Sequence, residues 1–517
     1  MGIELHFALL ILVSSVFAGR IIVVPSNGFS HCTDMAIVSE VLVSHGHAVT
    51  MLISSAHPCD FRADRKFDVA TISVNIGRQE FADNQLDVIV EGMVNPWNMS
   101  AFATGMKMLA DLCEEMLKNG NEVIGQLRRQ KFDIAILDDA SFCGIFPVNQ
   151  LDLPFIGIST MSAMVEFFSN SPKPISYVPC GMLSQHTDKM TFFDRLTNGV
   201  QCALSPLAKK LMYWHFDSLN IKYSVRPESS VAEMFAEMEL ILWNRDFTFE
   251  FPQPIMPHVI PYGSITTKPA SPLERDLESF MQSAENGVAI VSFGTFIVQL
   301  KGETLGRLPD VIAKALSRLP LNVIWKFKGA KTPSLGNNTK IMEWLPLNDL
   351  LGHPKTRVFI NQAGIMGIYE AIYHGVPMVA VPFFGDQLSN AARVKAKGMG
   401  PVLHASDVTE DKLYQSVMDV LTNDRYKLNM ERYSKIYKDK PMNNTETIAF
   451  WVDYVIKHGA KHLHSEARNL SFMAYYLIDV ISVVLVVTII IMSIIVWACR
   501  ILCSCCKKTK QQKYKVS

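Results

Sequence analysis

The chain has 517 residues, of which 49% are hydrophobic and 19% are charged, so it is long enough for two large folded domains and too apolar for a disordered chain. Its 49 basic and 49 acidic side chains cancel, which removes the global electrostatic case for a nucleic-acid partner. Nucleic-acid-binding proteins are therefore set aside as a class.

The N-terminus carries a short apolar segment, residues 7–17, which ends in a small-residue pattern at Ala18. This length is too short to span a bilayer and is typical of a secretory signal peptide. We predict a signal peptide over residues 1–18, cut after Ala18. An uncleaved anchor is the alternative, because the segment lacks a basic residue before Arg20.

A strand–helix–strand rhythm begins directly after this segment. Residues 20–24 predict a strand, a turn leads into a helix through about residue 44, and a second strand follows at 48–53. Buried strands recur at 132–137 and 155–158. This pattern is typical of a parallel α/β sheet, and it predicts a domain over residues 19–250.

Polar side chains follow the ends of these strands. His31 lies after the first strand, and histidine has a pKa suited to proton transfer near neutral pH. Asp138 and Asp139 end the strand at 132–137, where a carboxylate could orient an imidazole. Each also has a structural interpretation: the histidine as a helix-flanking polar residue, an aspartate as a helix N-cap.

The rhythm is interrupted by a proline-rich segment between residues 251 and 272, which favours a linker over residues 251–285 without regular structure. It resumes with predicted strands at 288–292, 322–327, 357–360 and 378–381. We therefore expect a second α/β domain over residues 286–460 and a ligand cleft between the two domains.

The segment from Trp344 to Gln387 has the order expected for a nucleotide-sugar site. An aromatic ring can stack a base, and a helix starting just after Gly364 can hold a pyrophosphate on its free N–H groups. Glu370, Asp386 and Gln387 can bind hydroxyl groups. Taken singly, each of these residues has a structural role as its simpler interpretation.

The C-terminus predicts one membrane span. Residues 480–498 are uncharged and long enough to cross a bilayer, after a membrane-proximal segment at 461–479. The tail at 499–517 is basic, so the positive-inside rule places it in the cytosol and the bulk of the chain on the opposite side. Six cysteines precede the span, and disulfides are permitted there; the pairing stays open.

The segment from Trp344 to Gln387 closely resembles the signature of the UDP-glycosyltransferases, in their animal UDP-glucuronosyltransferase branch. The resemblance covers nearly the whole chain and implies two Rossmann-like doubly wound domains facing across a cleft, the GT-B architecture. It also implies His31 as the catalytic base and Asp139 as the carboxylate that orients it, with Asp138 as the neighbouring candidate. The donor-binding residues that it implies are Thr295, Trp344, Gln362, Gly364, Glu370, Asp386 and Gln387.

The implied reaction is transfer of glucuronate or glucose from a UDP-sugar to hydroxyl groups of small lipophilic acceptors, with inversion. The UDP-sugar is a co-substrate, and no cofactor is expected. The chain has no Asp-x-Asp motif, so we also expect transfer without a metal. Lys513 and Lys515 resemble a dilysine retrieval signal, which implies residence in the endoplasmic reticulum membrane. Whether the chain acts alone or as a homo- or hetero-oligomer stays open.

Three positions depart from the family pattern: Leu347, Gln362 and Met366. A neutral amide replaces a histidine at 362, and leucine and methionine replace polar residues. Each change weakens the expected binding of the donor. The alternative function is therefore a weak or inactive family member that serves as an acceptor-binding or partner subunit.

Overall fold

The computed structural model describes residues 18–59, 61, 63–85, 99–160, 162–181, 183–294, 306–328 and 332–513. Residues 1–17 of the predicted signal peptide therefore lie outside the described residues, as do Thr295 and Lys515. The chain divides into two compact units, residues 1–461 and 462–517.

A parallel sheet of seven strands fills the first part of the larger unit, in the order β3-β2-β1-β4-β5-β6-β7. Four of its central strands, β1, β4, β5 and β6, are buried along all or almost all of their length, as expected for a sheet covered on both faces. The strands are β1 (Arg20–Val24), β2 (Ala48–Ser54), β3 (Asp68–Ile72), β4 (Ile134–Asp138), β5 (Phe155–Ser159), β6 (Leu240–Trp243) and β7 (Val259–Pro261).

Helices connect these strands and cover the sheet. The first helix follows β1 after a four-residue turn and leads into β2, as the sequence predicts. The helices of this region are Phe29–Ser44, Met99–Asn119, Asn121–Gln130, Ile145–Gln150, Ser162–Phe168, Phe192–Lys222 and Val231–Ala236, with a further helical segment at 78–85.

A second parallel sheet follows, with five strands in the order β10-β9-β8-β11-β12. Its strands are β8 (Val288–Ser292), β9 (Asn322–Lys326), β10 (Thr339–Met342), β11 (Thr356–Asn361) and β12 (Met378–Ala380). Its helices are Arg275–Gln282, Leu308–Ser317, Leu347–Gly352, Ile365–His374, Gln387–Ala396, Glu410–Thr422, Asp424–Lys438 and Asn444–His458.

The proline-rich segment contains more regular structure than its composition indicates. Strand β7 and the helix Arg275–Gln282 both fall inside the predicted linker at 251–285. Proline is tolerated in β7 because this strand is at the edge of the sheet, where β6 is its one partner among the described strands, and because Pro261 is its last residue.

Three disulfides join the six cysteines that precede the C-terminal helix. They pair Cys32 with Cys59, Cys113 with Cys143 and Cys180 with Cys202, at Cα–Cα distances of 6.1, 5.0 and 5.4 Å. Each therefore closes a short local loop of the first region. The first disulfide includes Cys32, the residue directly after His31.

The smaller unit consists mainly of one long helix, Ile478–Lys513, preceded by the short helix Phe472–Tyr475 and a 3₁₀ turn at Glu466–Asn469. Residues 478–504 of the long helix are long and apolar enough to cross a membrane, and their side chains are exposed on all sides. A long helix that is apolar on all faces is typical of a membrane-spanning segment.

Candidate active site

Both sheets reverse their strand order at one point, and His31, Asp138, Gln362 and Gly364 lie at these two points. In the first sheet β1 and β4 are neighbours whose connections leave in opposite directions, and in the second sheet β8 and β11 have the same relationship. A crevice opens beyond the carboxyl ends of the strands at such a point, and ligands of α/β proteins bind there.

His31 and Asp138 meet at the β1/β4 switch point. His31 is in the first turn of the helix that follows β1, and Asp138 is the last residue of β4. His31 Nδ1–H donates to Asp138 Oδ2 over 2.8 Å, and the backbone N–H of Ala140 donates to Asp138 Oδ1 over 3.0 Å. The His31 side chain is 22% exposed, whereas that of Asp138 is 1% exposed. The imidazole is therefore oriented by a buried carboxylate and keeps an edge toward the crevice.

The prediction that Asp139 orients His31 is corrected by this geometry: Asp138 makes the contact. Successive side chains of a strand point to opposite faces, so two adjacent aspartates cannot both face the first helix. Asp139 is 1% exposed and its carboxylate faces Ser159 of β5. Burial and the charge of Asp138 raise the pKa of Asp139 well above its usual range.

Four titratable groups share this pocket and have perturbed pKa values. Burial acts to lower the pKa of His31, but the charge and hydrogen bond of Asp138, with Asp34 and Asp139, raise it to about 9. Burial acts to raise the pKa of Asp138, yet the charge of His31 lowers it. Burial raises the pKa of Asp34 to about 8. His31 and Asp138 thus favour each other's charged forms, whereas burial disfavours ionisation of Asp34 and Asp139.

The β8/β11 switch point supplies a backbone cradle in the second domain. Gly294 follows β8 with φ +78°, and Ala363 follows β11 with φ +64°, a left-handed conformation that is rare outside glycine. The Ala363 N–H donates to Asn361 Oδ1 (2.7 Å), and Asn390 Nδ2 donates to Ala363 O (3.0 Å). These two hydrogen bonds hold the turn. Gly364 is the N-cap of the helix Ile365–His374, and the first N–H groups of that helix, which have no partner within it, lie toward the crevice.

Gln362 lies across this cradle. A Cβ added at Gly294 would be 2.5 Å from Gln362 Nε2, and one added at Gly364 would be 2.7 Å from it. The Gln362 amide therefore occupies the space between the two glycines, beside the helix N-terminus.

Trp344 and Glu370, the two residues predicted to contact the nucleoside, differ in their exposure to solvent. Trp344 is 63% exposed, so a face of its ring is open to a base. Glu370 is buried: one carboxylate oxygen faces Thr266, and Oε2 has no partner within the described part of the chain. Burial raises the pKa of Glu370 to about 7. An unpaired buried oxygen has the capacity to accept a hydrogen bond from a ligand hydroxyl.

Asp386 and Gln387 begin the helix Gln387–Ala396. The Gln387 side-chain oxygen accepts from the N–H groups of Phe383 (2.9 Å) and Phe384 (3.3 Å), which orients the amide. Asp386 Oδ2 accepts from Asn390 Nδ2 over 2.9 Å and lies 3.5 Å from Arg245 Nη2.

A buried ion network connects the two domains beneath these residues, and sequence reasoning missed it. Glu250 Oε1 lies 2.9 Å from Arg245 Nε, and Glu250 Oε2 lies 2.8 Å from Arg393 Nε. The side chains of Arg245 and Glu250 are each 1% exposed. The two charged residues Arg245 and Glu250 after β6 were the available signal, because Asp386 and Arg393, the partners in the second domain, are more than 100 residues away in the chain. Asp34 was also missed, although its spacing of three residues from His31 places both on one helix face.

Two parallel α/β domains with an imidazole–carboxylate pair on one and a helix N-terminus on the other define a glycosyltransferase of the GT-B class. Solved structures share this fold: a glycotransferase of kitacinnamycin (TM-score 0.59, 16% identity, 86% of this chain and 99% of that one) and the glycosyltransferase VinC in complex with DTDP (TM-score 0.55, 18% identity, 85% and 100%). The family model described as UDP-glucoronosyl and UDP-glucosyl transferase matches residues 19–513, and the chain belongs to that family.

Curated relatives agree with this assignment. The chain is 34% identical to human UDP-glucuronosyltransferase 2A2 over 516 residues, which cover 96% of this chain and 94% of the relative. It is also 34% identical to mouse 2-hydroxyacylsphingosine 1-beta-galactosyltransferase over 481 residues, covering 90% of this chain and 86% of the relative. The chain is thus a UDP-glycosyltransferase, and its relatives include proteins named for a charged and for a neutral sugar.

Proposed function

We propose that the chain transfers a neutral hexose, with glucose as the first candidate, from a UDP-sugar to a hydroxyl group of a small lipophilic acceptor. The observation that carries this proposal is the buried His31–Asp138 pair at the first switch point, in the same unit as the Gly364 helix N-terminus at the second. One element activates an acceptor and the other receives a diphosphate.

The chemistry follows from these positions. His31 Nε2 accepts the acceptor proton while Asp138 stabilises the imidazolium through Nδ1. The hydroxyl oxygen attacks the anomeric carbon from the face opposite the diphosphate, so the C–O bond to UDP breaks with inversion. The N–H groups after Gly364 and the Gln362 amide receive the departing oxygens. We propose that this stabilisation needs no metal.

The choice of a neutral sugar rests on the charges around Asp386. Arg245 is already committed to Glu250 and Asp386, and Arg393 is committed to Glu250. Lys440 pairs with Asp246 over 2.8 Å. Each of these three cations therefore already has a carboxylate partner, with which a sugar carboxylate beside Asp386 would have to compete. A glucuronate carboxylate left unpaired there costs roughly 1–3 kcal/mol, which is about tenfold or more in affinity.

The C-terminal helix and the basic tail support a single-pass protein of the endoplasmic reticulum with its catalytic unit in the lumen. The exposed sequon at Asn337 tests this orientation, because glycosylation occurs only on the lumenal side. We expect endoglycosidase treatment to shift the mobility of the wild-type chain, and a smaller shift for Asn337→Gln. An unshifted wild-type chain in which Asn337 is accessible to protease from the cytosol would overturn the orientation.

The test of the function compares UDP-glucose with UDP-glucuronate on a panel of phenols, using membranes that express the chain. His31→Ala is the matched control, and we expect it to lose about 10²–10⁴-fold in rate. Transfer from UDP-glucose at least tenfold faster than from UDP-glucuronate supports the donor assignment. Faster transfer from UDP-glucuronate would contradict the donor assignment but not the assignment of His31 as the base. No transfer with any donor would favour a non-catalytic acceptor-binding subunit.

A further inference from the structure

A second histidine, His57, is buried close enough to the His31–Asp138 pair to interact with the charge of Asp138. It is 1% exposed in the loop after β2. Its Nδ1 accepts from the Cys59 N–H over 3.3 Å, so Nε2 carries the proton and donates to Ser26 O over 2.8 Å. Both ring nitrogens are therefore used, and the neutral tautomer is defined by the backbone on either side.

Ser26 transmits this contact to the carboxylate of the pair. Its carbonyl accepts from His57, and its N–H donates to Asp138 Oδ2 over 3.4 Å. That oxygen is the one which accepts from His31 Nδ1. Four groups thus form a chain of hydrogen bonds in the order His57, Ser26, Asp138 and His31. The N–H and the carbonyl of Ser26 belong to neighbouring peptide units, so a shift of the Ser26 backbone would change the orientation of the carboxylate that orients the imidazole.

A covalent bond closes the same assembly. The Cys32–Cys59 disulfide joins the residue after His31 to the residue whose N–H fixes the His57 tautomer. Cys32 is fully buried and Cys59 is 6% exposed. The other two disulfides, Cys113–Cys143 and Cys180–Cys202, include no residue adjacent to His31 or His57 in the chain.

We propose that His57, held in place by the Cys32–Cys59 disulfide, is a positioning residue. It holds the Ser26 backbone in place and thereby sets the geometry of the His31–Asp138 pair. This inference rests on the proposed function, because it assigns His57 a role in preparing the base of that reaction. His57 acts as a neutral hydrogen-bonding group. Burial, and to a smaller extent Arg78, lower the pKa of His57 to about 4, although the Ser26 carbonyl and Asp138 act to raise it.

The test removes the His57 contact in one set of variants and the Cys32–Cys59 disulfide in another, and it measures the pKa of the His31 imidazole. Histidine hydrogen–deuterium exchange read by mass spectrometry gives the pKa of His31 without any assay of activity. The variants are His57→Ala, His57→Gln and the double variant Cys32→Ser, Cys59→Ser. Glutamine keeps a donor at the position of Nε2, so it serves as the conservative replacement. The control is the double variant Cys180→Ser, Cys202→Ser, which opens a loop of similar length, 22 against 27 residues.

We expect His57→Ala and the Cys32/Cys59 variant to lower the pKa of His31 by at least one unit. We also expect kcat to fall about 10–100-fold, with KM for the UDP-sugar unchanged within about twofold, because small misplacement of a catalytic group reduces rate more than binding. His57→Gln should recover most of both quantities, and the Cys180/Cys202 variant should match the wild type in both.

Two outcomes overturn the inference: an unchanged His31 titration in His57→Ala, or the same loss in the Cys180/Cys202 variant. If the His31 titration moves as expected while wild-type membranes transfer no sugar, His57 positions the pair and the proposed function fails. The exchange measurement and the transfer assay thus separate the two conclusions.

Discussion

The imidazole of His31 donates through Nδ1 to Asp138 Oδ2 over 2.8 Å, and its Nε2 has no hydrogen-bond partner among the described residues. This arrangement fixes the tautomer, because a ring that donates at Nδ1 to a carboxylate can present an unprotonated Nε2 to an acceptor. Asp138 therefore determines both the orientation of the base and the ease with which it holds a proton.

The two adjacent aspartates provide a direct comparison. Asp138→Asn removes the charge next to His31, and we expect kcat to fall about 10²–10⁴-fold. Asp139→Asn should retain activity within about threefold, because burial raises the pKa of Asp139 well above its usual range and asparagine has the same shape. Both variants are measured with the same donor and phenol. Equal losses in the two variants would show that the charge of Asp138 has no special part.

The rate should depend on pH in the alkaline range. The pKa of His31 is raised to about 9 by the charge of Asp138, so the ring is protonated at pH 7 and only its neutral fraction can accept a proton. As pH rises toward 9 this fraction grows, and kcat/KM should climb by about tenfold per unit before it levels off. In Asp138→Asn the rising part of the profile should move to lower pH, because burial then lowers the pKa of His31 and only Asp34 and Asp139 still raise it. A wild-type profile that is flat between pH 6.5 and 9 would contradict this assignment.

The donor cradle should respond in opposite directions to two changes. Gly364→Ala places a Cβ 2.7 Å from Gln362 Nε2, so the amide must move and KM for the UDP-sugar should rise severalfold. Gln362→His should lower KM severalfold when the ring is protonated, because a bond to a charged donor exceeds a neutral one by about 1 kcal/mol. Gly125→Ala is the control, since a Cβ there meets nothing within 4 Å. Equal KM values for Gly364→Ala and Gly125→Ala would remove Gln362 from the donor site.

The buried network between the domains should contribute to stability. Glu250→Gln leaves Arg245 and Arg393 as buried charges without a counter-charge from Glu250, and we expect a loss of about 3–5 kcal/mol in the free energy of unfolding. Denaturant unfolding of the detergent-solubilised protein measures this difference. Asp111→Asn breaks an exposed pair with Lys107 and should cost less than about 0.5 kcal/mol. A Glu250→Gln protein as stable as Asp111→Asn would mean that water replaces the network.

Local patterns in the sequence carried much of the fold. The βαβ rhythm located β1, β2, β4 and β5 within about two residues, because strands buried on both faces are continuous apolar runs. The proline-rich segment was misjudged, because the edge position that makes β7 tolerant of proline depends on the order of strands in the sheet. The family resemblance placed His31 near a carboxylate but selected Asp139, one residue too far along the strand.

What the sequence by itself determined is therefore the architecture, the family, the membrane helix and the identity of the candidate base. These depend on periodicity, length and motif, which are local properties of the chain. Only the tertiary structure decided that Asp138 faces His31, that Arg245 and Glu250 cross to Asp386 and Arg393, and that His57 supports the pair through Ser26. The physical reason is that each of these contacts joins residues distant in sequence, through side-chain directions and strand order that no local pattern records.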